Sequence, residues 1–167
     1  MEPDHLFDQA DALLATRRGG PLREVDKRRS VSAAYYGLFH HLARAAADLL
    51  VSIKARNSPR YVLVYRATDH RRLRALCNEV RRGAPSPASM PYVPAGGFDG
   101  DLRRVADIAV ALQEARHFAD YDPSWWISLD GAKNHLADAR SAVDALGRAD
   151  RGQRQMFLTL LLCAPRG

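Results

Sequence analysis

A chain of 167 residues, 47% hydrophobic and 26% charged, has the size of one domain around a single core, and this composition excludes general disorder. No apolar run approaches the roughly 18 residues of a membrane span, and the N-terminal MEPDHLFDQA lacks the basic start of a secretory signal. A soluble, cytoplasmic protein with no membrane partner is therefore expected. The net charge of +6 is carried almost wholly by arginine, since the lysines are Lys27, Lys54 and Lys133. That bias has two readings: a GC-rich coding sequence, or a surface that faces phosphate, which arginine grips bidentately.

In chain order, apolar spacing predicts one helix after another. The first runs from about Asp4 to Arg17 on Leu6, Phe7, Ala10, Leu13 and Leu14, and Arg17-Arg18-Gly19-Gly20-Pro21 stops it. The second, about Leu22 to Ser52, is the longest and is expected to be central. It carries one stripe through Val31, Ala34, Tyr35, Leu38 and Leu42 and another through Tyr36, Phe39, Ala43 and Ala47. Its first turns, Arg23 to Ser30, are polar and are expected to project beyond the core. Lys27, Arg28 and Arg29 there form either a solvated face or a phosphate grip.

Ser58-Pro59 reads as an N-cap with a first-turn proline. Val62, Tyr65, Asp69, Leu73, Leu76 and Val80 keep helical spacing after it, with Arg66, His70, Arg71, Arg72 and Arg74 as a basic flank. Residues 83–98, GAPSPASMPYVPAGGF, form a loop longer than most connections. Asp99 caps a helix from about Gly100 to Ala119. Asp122-Pro123 opens the next, whose apolar face includes Trp126, Leu129, Leu136 and Val143, and a short last helix ends in the buried run MFLTLLLC. Cys77 and Cys163 are expected to be buried free thiols. The fold class is all-α: a single domain over residues 1–167, built as an up-and-down bundle of five or six helices.

The stretch ALQEARHFADYDP, Ala111 to Pro123, contains the sharpest anomaly. Arg116 falls on the stripe of Leu102, Val105, Ala109 and Leu112, where a guanidinium is costly without a partner. Asp120 follows one turn later, with His117, Tyr121 and Asp122 nearby. Arg116 and Asp120 are read either as a structural pair tying this helix to Tyr35 or Tyr36, or as a grip for an anion. Asp122 is read as a helix cap. Glu114 to His117 has the Glu-x-x-His spacing of di-iron bundles, but those sites need the motif twice and two further glutamates. No metal ligand set and no cofactor are expected. No Ser-His-Asp arrangement is identifiable, because the serines of RSVS stand mid-helix.

Three segments together resemble the HEPN superfamily of nucleotide-binding domains, in its bacterial stand-alone branch. They are RRSVSAAYYGLFHHLARAAADLL at Arg28–Leu50, YRATDHRRLRALC at Tyr65–Cys77 and LQEARHFADYDP at Leu112–Pro123. The resemblance implies a helical bundle that forms a homodimer, with two arginine motifs facing a shared cleft. It also implies binding of RNA or a nucleotide and, in active members, metal-independent endoribonuclease activity. Such members serve as toxins or defence components beside a nucleotidyltransferase-like antitoxin. Their motif places a histidine after four to six intervening residues, the arginine holding phosphate and the histidine moving protons at the ribose 2′-hydroxyl.

Here Tyr121, Asp122 and Pro123 stand at that distance from Arg116. The catalytic candidates are therefore Arg116, His117, Asp120 and Tyr121, with His70 supplied from another helix. The RNA- or nucleotide-binding candidates are Arg116, Arg66, Arg71, Lys27, Arg28 and Arg29. The alternative function is a non-catalytic helical protein-interaction module in which the Arg/Asp/Tyr cluster is structural.

Overall fold

A helix that is apolar on two faces has to be surrounded, and that requirement shapes the whole bundle. The structure, a computed structural model, describes residues 2–15 and 21–165. Among these residues it contains seven α-helices and no strand: α1 (Asp4–Leu14), α2 (Glu24–Val51), α3 (Pro59–Arg66), α4 (His70–Arg82), α5 (Gly100–Tyr121), α6 (Leu129–Arg148) and α7 (Arg151–Leu162). Single 3₁₀ turns lie at Ile53–Ala55 and Met90–Tyr92. The helix α2 packs against α1, α3, α5, α6 and α7, while α5 packs against α2, α4 and α6. The core follows both stripes of α2, with Val31, Ala34, Tyr35, Leu38 and Leu42 essentially inaccessible. Leu102, Val105, Leu112, Leu136, Phe157 and Leu161 close it from the facing helices. Each such side chain contributes about 1.5–3 kcal/mol by burial.

Close approach of α1 to α2 depends on Gly37. A Cβ there would stand 2.3 Å from Cε1 of Phe7, so only glycine lets the Phe7 ring lie flat on the helix. Side-chain caps define most of the helix starts. The side chains of Ser58, Asp69, Asp99, Ser128 and Asp150 each accept a backbone N–H from the first turn of their helix.

Several sequence expectations are corrected. Among the described residues the helices number seven and not five or six, because the stretch after Ser58 divides into α3 and α4: Ala67 ends the first, and Asp69, whose carboxylate accepts from Arg72 N at 2.9 Å, starts the second. Asp122 does not open a helix. Its Oδ1 accepts from Ser124 N at 2.9 Å and Ser124 Oγ at 2.6 Å in a tight turn, and the next helix begins at Leu129 with Ser128 as its cap. Trp126 accordingly lies outside any helix and is 68% exposed. The first turns of α2 do not project beyond the core. Asp26, Lys27 and Ser30 are buried, and Ser30 Oγ donates to Ala10 O at 3.1 Å. Cys77 is buried as expected, but Cys163, at the C-cap of α7, is exposed. The first helix stops short of the expected Arg17: it ends at Leu14, and Ala15 is extended as its C-cap, while the expected stop signal at 17–20 lies outside the described residues. Among the described residues, no helix is long and apolar enough to cross a membrane.

Candidate functional site

The last two turns of α5 carry Arg116, His117, Asp120 and Tyr121 to a position beside the N-terminal half of α2. Arg28 on α2 fixes this placement. Its guanidinium donates to the carbonyls of Ala119 (2.8 Å), Asp122 (2.6 Å), Trp125 (3.2 Å) and Phe118 (3.3 Å), which satisfies the free C-terminal carbonyls of α5 and the turn beyond it. Lys27 does the same for the following strand of chain: Nζ donates to Ile127 O at 2.6 Å and pairs with Glu24 at 2.5 Å. Lys27 and Arg28 are thus engaged inside the molecule. Of the three cations read as a phosphate grip, Arg29 alone is exposed and makes no ion pair among the described residues.

Arg116 is half-buried, its side chain 21% exposed. Nη2 donates to Tyr36 Oη at 2.5 Å, and the guanidinium carbon lies 5.2 Å from the Tyr36 ring centre and 5.6 Å from that of Tyr121. The cation is held between two aromatic rings. Nε lies 2.7 Å from Asp120 Oδ2 but is not aligned to donate to it, so this buried N–H has no hydrogen-bond acceptor. Asp120 is shared: its Oδ1 accepts from Ser32 Oγ at 2.5 Å.

His70, the first residue of α4, joins the same cluster through Tyr36. The two rings meet edge to face at 5.9 Å, and His70 also packs 4.0 Å from the Phe39 ring. Its Nδ1 is 2.7 Å from Tyr35 Oη, and among the described residues no hydrogen bond engages Nε2. Burial, then the positive charge of Arg116, pushes the His70 imidazole below its ordinary pKa, so it is neutral at pH 7. Burial also pushes the Tyr35 phenol up, keeping it un-ionised. His117 faces outward on the other flank, its ring 5.2 Å from that of Tyr121. The five residues read as catalytic candidates are therefore linked in one cluster, ordered His117, Tyr121, Arg116, Tyr36, His70, with Asp120 beneath the guanidinium.

Ser32, Tyr35 and Tyr36 complete this cluster. Ser32 was not singled out from the sequence, although Ser32, Tyr36 and His40 repeat every four residues on α2, which is a readable polar stripe. A groove of about 700 Å³ opens beside them, between α1, α2 and the end of α5, with Arg29, Ser32, Tyr36, Asp120 and Tyr121 in its wall. Arg66 and Arg71 do not line that groove; they are exposed at the α3–α4 corner that carries His70 and make no ion pair among the described residues.

Other constellations are engaged elsewhere. His40 Nδ1 bonds Tyr65 Oη at 2.8 Å, whereas His41 Nε2 bonds Asp4 at 3.0 Å, so the adjacent histidines serve opposite sides of α2. Glu114 pairs with Arg74 at 2.6 Å. A second Glu-x-x-His spacing runs from Glu2 to His5, but Glu2 pairs with Arg44 at 2.7 Å. Among the described residues no three His, Cys, Asp or Glu side chains converge as a metal site would require.

No protein-family model, curated protein or solved structure matches this chain.

Proposed function

We propose that the chain is a HEPN-like domain that binds RNA or a nucleotide at the Arg116 cluster and acts there as a metal-independent endoribonuclease. The observation that carries this reading is the convergence of Arg116 and His70, from α5 and α4, on Tyr36 of α2. A histidine brought from a different helix takes the place of the one absent after Arg116. The guanidinium has five N–H donors and directs one at Tyr36, leaving capacity for a phosphate oxygen. A neutral His70 with Nε2 unengaged takes a proton from the ribose 2′-hydroxyl. The resulting alkoxide attacks the adjacent phosphorus, the bond to the 5′-oxygen breaks and that oxygen takes a proton from water, the His70 imidazolium returns its proton to solvent, and a cyclic phosphate and a free 5′-hydroxyl result. Homodimerisation, and pairing with a nucleotidyltransferase-like antitoxin in a toxin or defence system, belong to the same proposal.

The test is incubation of the purified protein with end-labelled RNA in EDTA beside Arg116→Ala and His70→Ala. The expected result is cleavage that falls about 100-fold or more in either variant, the usual contribution of a positioned acid–base or phosphate-holding group. RNA that stays intact with unchanged mobility sinks this reading. It would leave the second one, a partner-binding module with a structural Arg116 cluster, which is favoured by the exposed apolar side chains Leu50, Ile53, Val62 and Leu63 around the α2–α3 turn.

A further inference from the structure

The segment 83–98 is a wall, and behind it lies a cavity unrelated to the Arg116 cluster. Its course is set by its own hydrogen bonds: Ser89 N and Met90 N both donate to Ser86 O at 2.9 Å, and Gly97 N donates to Pro94 O at 2.8 Å. Gly83, Gly96 and Gly97 have φ of 60°, 86° and 85°, the left-handed region that favours glycine, and a Cβ at any of them would meet nothing. These glycines steer the chain rather than make room. Phe98 then anchors the segment, buried and edge-on to Phe157 at 6.0 Å, while Asp99 N donates to Gln153 at 2.7 Å.

Between this wall and the last turns of α4 is a cavity of about 500 Å³, within the size of small-molecule sites. Leu76, Val80, Val93 and Phe98 supply its apolar surface, polar atoms make up much of the rest, and Met90, largely exposed, stands at its edge. One lining residue is ionisable. Glu79 shares the α4 face of Leu76 and Val80, and among the described residues its carboxylate has no ion pair or hydrogen bond; Arg82, three residues on, does not pair with it. A single unpaired carboxylate, half-buried beside that apolar surface in a net basic protein, selects for the opposite charge on an apolar body.

We propose that this cavity binds a small organic amine, with Glu79 receiving the ammonium and Leu76, Val80, Val93 and Phe98 enclosing the hydrocarbon. The probes are 2-phenylethylamine, its neutral analogue 2-phenylethanol and the anionic 3-phenylpropionate, followed by methyl NMR shifts of Leu76, Val80 and Val93. The amine is expected to give saturable shifts at those methyls and to bind about tenfold more tightly than the alcohol, since the charge-assisted hydrogen bond is absent from the latter. Glu79→Gln, which keeps size and shape, is expected to remove that advantage with an unchanged circular dichroism melt. Equal binding of all three probes, an unchanged preference in Glu79→Gln, or no saturable shift up to about 10 mM, well above the Kd of a ~4 kcal/mol interaction, would each overturn the proposal. RNA cleavage is not a readout here, so the outcome is independent of the Arg116 reading.

Discussion

At the scale of single residues, the cations of α2 divide by what they touch. Arg28 and Arg29 are neighbours with the same charge, yet Arg28 is committed to four backbone carbonyls at the end of α5 while Arg29 is exposed beside the groove. A lysine at position 28 would keep the charge but lose the planar fork that reaches several acceptors at once. Arg28→Lys is therefore expected to cost about 2 kcal/mol, the penalty for leaving partly buried carbonyls unsatisfied, read as a lower urea midpoint at constant slope. Arg29→Lys is expected to leave the midpoint within about 0.5 kcal/mol, as exposed substitutions do. If the two variants melt alike, the carbonyl clamp is not what holds the α5 terminus.

At the scale of elements, α2 explains why some of the site was legible and some was not. Its apolar stripes follow from periodicity alone and are observed in the core. Arg28, Ser32, Tyr36, His40, Arg44 and Asp48 form a second pattern, one residue in every four and each half-buried. A row with that spacing drifts by about 40° per step around a helix, so it passes from one neighbour to the next: Arg28, Ser32 and Tyr36 meet α5, His40 meets Tyr65 of α3, Arg44 meets Glu2 and Asp48 meets Arg56. Periodicity shows that such side chains are semi-buried; only the packing shows what they bond. Arg116 is visible as a charge on an apolar stripe and His70 is readable as a candidate from another helix, but the position of His70 at a helix start is hidden by the continuous spacing from Val62 to Val80, in which Asp69 passes for a member of the helix face. Asp69 is instead the cap that separates α3 from α4 and sets His70 as the first residue of the new helix. Asp69→Ala is expected to cost about 1 kcal/mol through the lost cap, while Asp69→Asn, which keeps an acceptor, recovers most of it in the same chemical denaturation.

For the whole molecule, the consequence lies in how stability depends on pH. Three histidines are half-buried: His40 against Tyr65 and His70 against Tyr35, neighbours that share the Phe39 ring, and His135 on α6. Burial holds all three below their ordinary value of 6.5, helped at His70 by Arg116 and at His40 by His70, and opposed at His135 by Asp138. In the unfolded chain these groups take up protons near the ordinary value, whereas in the folded chain they do so only at lower pH. The unfolded state therefore binds more protons across that window, and stability present above it is lost as pH falls from the ordinary value toward the folded ones. The urea midpoint is expected to drop between about pH 7.5 and about pH 5.5, with the slope flattened in a His40→Gln, His70→Gln double variant. A double variant as pH-sensitive as the parent would mean that these two rings are not held neutral by their surroundings. Because the same burial keeps His70 neutral until pH reaches its lowered folded value, the fold loses stability across a window in which folded His70 is still unprotonated, and cleavage that depends on a neutral His70 is expected to fall only at lower pH.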